Sequence, residues 1–476
     1  MHIHFIGIAG SAIAPLAVMV KTLGHHVTGS EHNKVWEPAK SLLQNAGIKY
    51  TEQSTNIKNI QDADLIILGG STILKDKNNA EYLEAKRLGK PIHGFVYLVE
   101  KFITKRNSIV VAGTYGKTTT SSAIAWIFEV ADKNPSFMIG GKPLNFQSGV
   151  NYSSSDVSVV EGDEFVVLPT LDMNPKFIHY NPTTAIITAS KWDHIDVYPS
   201  EKQYIEAYFK LLDILRKNNG NLIISLNGEN NDKLIKNWGK NNIWMLSTNK
   251  DTKIPIKNKT AHTILSTFKG FNDDFTNFTI NIDNKKIADF QTTMIGLHNI
   301  EDLSLAITTA YINGINVQTI QTAIRTFKGI SRRQEIRGKT TTGATIIDDF
   351  AHSAIKAKAT LEAIRLRYTQ KKIIALYSPR ISDGEDKEVL KWYPTAFDDA
   401  DFVIIPHIPV KKSTPKENRI HGIDLVKAIR KTQPNVEYMP QDKQIIKYLK
   451  DHTDTNSVIV FMAGKSWDNI INGIKE

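Results

Sequence analysis

The chain has 476 residues, 41% of them hydrophobic and 23% charged, which allows about three folded domains and excludes a disordered chain. It has no cysteine, which excludes disulfides, a thiol nucleophile and cysteine-ligated zinc and fits a reducing, cytoplasmic setting. The formal charge of +10 is dispersed rather than gathered in one aromatic-studded stripe. It reads as a lysine-rich surface that attracts small polyanions, and no nucleic-acid partner is expected.

Residues 5–20 are almost wholly apolar or small, but no Lys or Arg precedes them, the run is short for a membrane span, and Pro15 interrupts it. The better reading is a strand over 2–8, a glycine turn and a helix with Pro15 in its first turn, in a soluble protein with no membrane partner. Short apolar strands over 26–29 and 65–68 then alternate with helices over 38–46 and 80–88, the pattern of a parallel sheet with crossover helices. The polar run 104–108 reads as a linker. A second unit follows with a strand over 109–112, a helix over 118–131, and buried strands over 157–160, 185–188 and 222–225. Residues 227–291, rich in Asn and Lys with short alternating runs, read as an antiparallel flap, and a helix over 300–312 and the segment 319–327 close the unit. A third unit from about 329 has strands over 345–347, 373–377, 402–405 and 458–462, with a helix over 355–367. The expected fold is α/β in three domains. These are a Rossmann-like domain over 1–104, a central P-loop ATPase-like α/β domain with an antiparallel flap over 105–328, and a Rossmann-like domain over 329–476.

The strongest chemical signal is Ile109-Val-Val-Ala-Gly113-Thr114-Tyr115-Gly116-Lys117-Thr118-Thr119-Thr120. A buried strand ends in a glycine turn and a helix starts at Lys117. Backbone N–H groups at a helix N-terminus, with the helix dipole, make an anion site. Lys117 adds a mobile positive charge, and the Thr118 hydroxyl suits Mg²⁺. The match is to a shortened phosphate loop, because Val111 stands where the full pattern has its first glycine. Near the N-terminus, Gly7-x-Ala9-Gly10 is a degraded dinucleotide fingerprint with Glu31 at about the acidic spacing. A dinucleotide oxidoreductase is a poor reading of it, since the second loop would go unexplained.

The shortened loop resembles the ATP loop of the Mur ligases, which build the peptide stem of bacterial peptidoglycan. Further runs agree in the family's order. His4-Phe-Ile-Gly7-Ile-Ala9-Gly10 with Val27-Thr-Gly-Ser30-Glu31 is similar to its UDP-sugar-binding domain, Glu161-Gly-Asp163-Glu164 to its acidic magnesium motif, and Trp192-Asp193-His194-Ile-Asp196 to its Asp-His motif. Gly296-Leu-His-Asn299, Arg332-Arg333 and Asp348-Asp349-Phe-Ala-His352 follow. The resemblance implies an ATP- and Mg²⁺-dependent ligase acting on UDP-N-acetylmuramate and an amino acid or peptide. Gly113, Thr114, Gly116, Lys117, Thr118 and Thr119 would hold ATP, with Lys117 on its β- and γ-phosphates. Thr118 and Glu161 would bind the first Mg²⁺ and His194 a second. Asn299 would face adenine, Arg333 (or Arg332) the phosphates or ribose, Asp348 or Asp349 the ribose hydroxyls, and His352 the muramyl or amine substrate. Gly7, Ala9, Gly10 and Ser11 would cradle the UDP diphosphate, with Ser30 and Glu31 on the uridine side.

Within the family the N-terminal glycine pattern resembles the branch that acts directly on UDP-N-acetylmuramate, whose members add either L-alanine or a whole recycled tripeptide. Phe177-Ile-His-Tyr180-Asn-Pro182, Arg333-Gln-Glu335-Ile-Arg337-Gly and Asp349-Phe-Ala-His-Ser353 are closer to the tripeptide-adding type, the preferred expectation. L-alanine addition is the alternative, and a non-catalytic nucleotide-binding relative is a third reading. Some positions depart from the family pattern. Lys191 puts a positive charge beside the Asp193–His194 pair. Asp302 stands for a common Asn, and Ser353-Ala354 for a common His-Pro. Tyr208 lies at about the register of the carbamylated lysine of several relatives, so no carbamate is assigned.

Overall fold

The computed structural model describes residues 1–169, 171–194, 197–239, 242–256, 261–272, 275–379, 387–408 and 419–475. The first sheet has five parallel strands, with His2–Ile6 between His26–Glu31 and Leu65–Leu68, and Lys49–Glu52 and Ile92–Gly94 at the edges. Every residue of Leu65–Leu68 is buried, as expected of a parallel strand with both faces covered. The first strand stops two residues earlier than its apolar run, because Gly7 turns the chain with φ +85°. Helix Ile13–Thr22 carries Pro15 in its first turn, where the missing N–H costs nothing. Helix Ala80–Arg87 starts where the Asn79 side chain accepts from the Tyr82 N–H at 3.0 Å. Lys49–Glu52, a half-exposed edge strand without an apolar run, had no signature in the sequence.

The central sheet has ten strands. Asn107–Ala112 lies in its middle, flanked by Thr184–Ile187 and Val157–Gly162 in parallel register. On one side the order continues through Asn221–Ser225, Ile243–Ser247 and Ala261–Asn272, all still parallel. Only then do Phe275–Ile282 and Lys285–Thr292 turn back as an antiparallel meander, stacked through Phe278 and Phe290. The flap expected over 227–291 is thus narrower than its composition implied. A helix, Asn231–Trp238, and two more parallel strands precede the antiparallel end, which is hydrogen-bonded into the same sheet. The linker expected over 104–108 already contains the start of the central strand. Both sheets belong to one compact unit, residues 1–293 with 298–328. Within it the short strand Val166–Leu168 packs on the first sheet so closely that a Cβ on Gly94 would lie 2.7 Å from Val167 Cγ1.

The second compact unit comprises residues 329–476 with 294–297. Its six-stranded sheet runs Glu335–Lys339, Thr345–Asp349, Ser457–Ala463, Lys372–Ser378, Phe402–Ile405, Val436–Tyr438. Five strands are parallel and the first is an antiparallel edge. Among the described residues no helix is long and apolar enough to cross a membrane.

Candidate active site

The buried strand Asn107–Ala112 delivers the chain into a turn that only glycine tolerates. Gly113 has φ +138°, and a Cβ there would overlap Thr188 Oγ1 and lie 3.0 Å from the Ala189 nitrogen. Gly116, at φ +80°, would drive a Cβ into the Asp302 carboxylate. The loop is pinned by Thr114, whose N–H donates to Ala189 O at 2.9 Å and whose hydroxyl donates to Lys191 O at 2.7 Å. A 14-residue helix, Lys117–Val130, starts at its end. Its first N–H groups and its dipole face the same turn as the Lys117 ammonium, so the segment is built for an anion.

The Lys117 side chain folds back over the loop. Its Nζ donates to Gly113 O and to both Glu164 oxygens, at 2.9 and 3.2 Å. Burial alone would lower its pKa, but Glu164 and Glu161 outweigh burial and hold it above the ordinary lysine value. Thr118 donates its hydroxyl to Glu161 Oε1 at 3.1 Å, and the Gly140 N–H donates to Glu161 Oε2 at 2.7 Å. Strand pairing sets this up, since Glu161 on Val157–Gly162 is the register partner of Val111. Burial pushes the Glu161 carboxyl up against the pull of Lys117. Asp163, Glu164 and His194 form a second acidic group whose ligand atoms lie within 4.8 Å of one another. His194 Nε2 is 3.5 Å from Glu164 Oε1, and that contact holds the imidazole above its ordinary pKa despite burial.

Glu164, to which the sequence pattern gives no role of its own, is the group that ties Lys117 to His194. Two tyrosines, unforeseen, brace the arrangement. Tyr198 donates to Glu164 O at 2.6 Å, and the Tyr204 hydroxyl lies 3.1 Å from the Thr114 hydroxyl and 3.3 Å from that of Tyr208. Helix Glu201–Lys217 presents Tyr204 and Tyr208 on its buried face. Ser200, whose side chain accepts from the Gln203 N–H, was the available signal for this helix. The charge of Lys191, expected beside His194, is directed elsewhere: its Nζ pairs with Glu229 at 3.0 Å. Asp196 lies outside the described residues. Asn299 is buried in the first turn of helix Leu297–Ile312, three residues before Asp302 and so on the helix face that meets Gly116.

In the first sheet, the N–H groups of Gly7 and Ile8 donate to Ser30 O at 2.9 and 3.0 Å, and that of Ala9 donates to Glu31 Oε2 at 3.1 Å. The turn expected to cradle a diphosphate is thereby joined to the end of strand His26–Glu31, with Gly10 and the exposed Ser11 following it. Ser30, expected on the uridine side, points inward instead. It is buried and its hydroxyl donates to the buried Glu81 carboxylate.

In the second unit the expected nucleotide residues are largely committed to protein partners. Asp348 is buried between Arg332, at 3.4 Å, and Arg337, at 3.2 Å. Burial outweighs both arginines and pushes its carboxyl up to about 6. Asp349, also raised by burial, accepts from the N–H groups of Gln334 and Ala351 and from the Thr360 hydroxyl. The expectation that these carboxylates serve ribose hydroxyls meets oxygens already occupied. Arg332 Nη2 donates to Ala463 O at 2.6 Å and to Lys465 O, which makes it a clamp on the end of strand Ser457–Ala463. Arg333 is exposed, with its backbone N–H on Ile330 O, and His352 Nδ1 lies 2.7 Å from Phe350 O.

Three family profiles match in chain order. They are the Mur ligase family catalytic domain over residues 2–102, the Mur ligase middle domain over 111–310, and the Mur ligase glutamate ligase domain over 332–465. The chain belongs to the Mur ligase family. A UDP-N-acetylmuramate–L-alanine ligase of Acetivibrio thermocellus is 29% identical over 97% of this chain and 93% of its own length. The UDP-N-acetylmuramate–L-alanyl-γ-D-glutamyl-meso-2,6-diaminoheptanedioate ligase of Escherichia coli is 29% identical over 80% of this chain and 79% of its own. In fold, the UDP-N-acetylmuramate–alanine ligase of Thermotoga maritima superposes with a TM-score of 0.73 at 20% identity, covering 99% of this chain and 97% of that one.

Mur ligases are ATP-dependent enzymes that form carbon–nitrogen bonds with Mg²⁺, and this chain is an enzyme of that class. The residues present fit both groups. A helix N-terminus with the Lys117 ammonium folded over the loop suits a triphosphate. The Thr118 hydroxyl and the Glu161 and Glu164 carboxylates are the hard oxygen donors Mg²⁺ prefers.

Proposed function

We propose that this Mur ligase joins the lactyl carboxylate of UDP-N-acetylmuramate to the amino group of a second substrate, preferably a recycled tripeptide. The observation that carries the reading is the partly buried set Lys117, Thr118, Glu161, Glu164 and His194 at the mouth of the glycine loop. The loop N–H groups and Lys117 would hold the β- and γ-phosphates of ATP. Thr118 and Glu161 would hold one Mg²⁺, with Glu164 and His194 holding a second. The metal ions supply charge neutralisation when bound. A lactyl oxygen attacks the γ-phosphorus and ADP departs, leaving an acyl phosphate; the amine then attacks the carbonyl carbon, loses a proton and expels phosphate. The protein's part is alignment and charge compensation, the usual division of labour in phosphoryl transfer.

The first sheet, with Gly7, Ala9, Gly10 and Glu31, would bind the UDP-sugar, and the second unit the amine. Asn299 would meet the adenine, Arg333 the ATP phosphates or ribose, and His352 the muramyl or amine substrate. We place the enzyme in the cytoplasm, where ATP and nucleotide-activated sugars are available, working in peptidoglycan metabolism. Support for a tripeptide comes from the runs around Phe177–Pro182 and Arg333–Gly338 and from the Escherichia coli relative. The second reading, L-alanine addition, is favoured by the longer span of the Acetivibrio relative.

Phosphate release measured with Mg·ATP, UDP-N-acetylmuramate and either amine decides between them. The preferred reading expects the tripeptide to stimulate release at least tenfold more than L-alanine. The reverse ranking selects the second reading, and no stimulation by any amine overturns both.

A further inference from the structure

The acidic group at the nucleotide loop contains one carboxylate, Asp163, that the metal assignment above does not use. Asp163 lies within ligand distance of Glu164 and His194, and its oxygens are held by a backbone N–H and by a lysine from outside the glycine loop. Oδ1 accepts from the Phe165 N–H at 3.1 Å and Oδ2 from Lys176 Nζ at 2.6 Å. Lys176 is itself almost fully buried, at 9% exposure. Its ammonium is sandwiched over the rings of Phe165, at 5.1 Å, and Phe95, at 5.7 Å. Phe95 belongs to the first sheet's side of the unit, just after strand Ile92–Gly94. A buried lysine clamped by two aromatic faces and one carboxylate has little freedom to do anything else.

We propose that Lys176 is a positioning residue that withholds Asp163 from metal coordination and sets the charge of the Mg·ATP site. This rests on the metal assignment made above. Glu161, Asp163 and Glu164 bring three negative charges to the site, and Lys117 and Lys176 bring two positive ones. Without Lys176 a third carboxylate is released beside Glu164 and His194. The site then attracts a bare divalent cation more strongly and an anionic nucleotide less strongly. The aromatic sandwich explains how the second ammonium is kept at Asp163: Phe95 and Phe165 cover it, so it cannot swing out to water.

The test uses the full chain and two probes, Mn²⁺ followed by electron paramagnetic resonance of the free ion and a fluorescent ATP analogue. In Lys176→Met, Mn²⁺ should bind about tenfold more tightly without nucleotide, the scale of one added partly buried charge. The ATP analogue should bind several-fold more weakly. The double variant Lys176→Met with Asp163→Asn removes one charge of each sign and should return Mn²⁺ affinity to within about threefold of wild type, because Asp163 is not a ligand. Unchanged Mn²⁺ and nucleotide affinities in a folded Lys176→Met protein overturn the inference. So does a tenfold loss of Mn²⁺ affinity in the double variant, an arm that decides the matter even if the single variant does not fold. Wild-type protein that binds neither probe overturns the metal assignment itself and the inference with it.

Discussion

Lys117 Nζ sits 2.9 Å from Glu164 Oε2, so the cation of the phosphate loop is held by the same carboxylate that meets His194 at 3.5 Å. One acidic side chain thereby sets both the lysine that would neutralise the triphosphate and the histidine proposed for the second metal. Replacing Lys117 by Ala should abolish amide formation while circular dichroism remains that of the wild type. Glu164→Gln should retain nucleotide binding but lower turnover by about 10²-fold or more, the usual cost of losing one preorganised electrostatic group. A Lys117→Ala enzyme that ligates at the wild-type rate removes the loop from the mechanism. A Glu164→Gln enzyme with full turnover removes the carboxylate.

Gly113 tests the loop's backbone rather than its charges. Its φ of +138° is closed to side chains, and a Cβ would collide with Thr188 Oγ1 and crowd the Ala189 backbone. Gly113→Ala should destabilise the protein by about 1–3 kcal/mol and weaken ATP binding, because the loop must open to admit the methyl group. Removing the hydroxyl collision with Thr188→Ala should recover only part of the loss, since the Ala189 nitrogen remains 3.0 Å away. Chemical denaturation and titration with the ATP analogue read the two effects. Full recovery in the double variant shows that side-chain crowding, not backbone conformation, was the obstacle.

The loop and the buried strands were legible because their signals are local. Glycines before Lys117 and the apolar runs at 65–68 and 402–405 each declare themselves within a few residues, and the latter two strands begin and end where the runs do. What sequence could not supply was partner choice. Ser30 and Asp348 look like ligand-facing polar residues at strand ends, but tertiary packing turned them toward Glu81 and toward Arg332 and Arg337. The partner of Lys191 is hidden for the same reason, since Glu229, 38 residues on, cannot be placed beside it from sequence. The antiparallel region was read too widely because Asn- and Lys-rich composition hides short parallel strands such as Ile243–Ser247.

Glu81 illustrates how much of the first sheet depends on one unforeseen carboxylate. It is fully buried, yet it accepts from the Asn56 N–H at 2.6 Å and from the Ser30 hydroxyl, and His4 Nε2 lies 3.7 Å away. Burial raises its pKa, but the His4, Ser30 and Asn56 contacts together hold it below the ordinary glutamate value. A lowered carboxyl contributes stability that is present above the unfolded-state pKa and lost as pH falls through the folded-state value. Glu81→Ala should therefore cost about 2–4 kcal/mol at neutral pH, by stranding buried donors, and the penalty should shrink under acid. Denaturant unfolding of both proteins at neutral and acidic pH measures it. A penalty that grows on acidification contradicts the assignment.

Asp348 should behave in the opposite sense. Its carboxyl is buried, and burial outweighs Arg332 and Arg337 to raise its pKa to about 6 from an ordinary 3.8. The folded chain therefore keeps this proton over a range where the unfolded chain has lost it. Stability from this group is full below the unfolded-state value and falls as pH rises toward about 6, then stays level. The shift corresponds to roughly 3 kcal/mol at most. Asp348→Asn cannot titrate, so the stability advantage of wild type over the variant should shrink by up to that amount between pH 4 and 6.5. Hydrogen exchange of the amides in strand Thr345–Asp349, compared between the two proteins at each pH so that intrinsic rates cancel, isolates this sheet from the rest of the molecule. If the advantage of wild type instead grows with pH, the two arginines outweigh burial, and Asp348 is an ordinary ion-pair carboxylate that clamps the ends of strands Glu335–Lys339 and Thr345–Asp349 together.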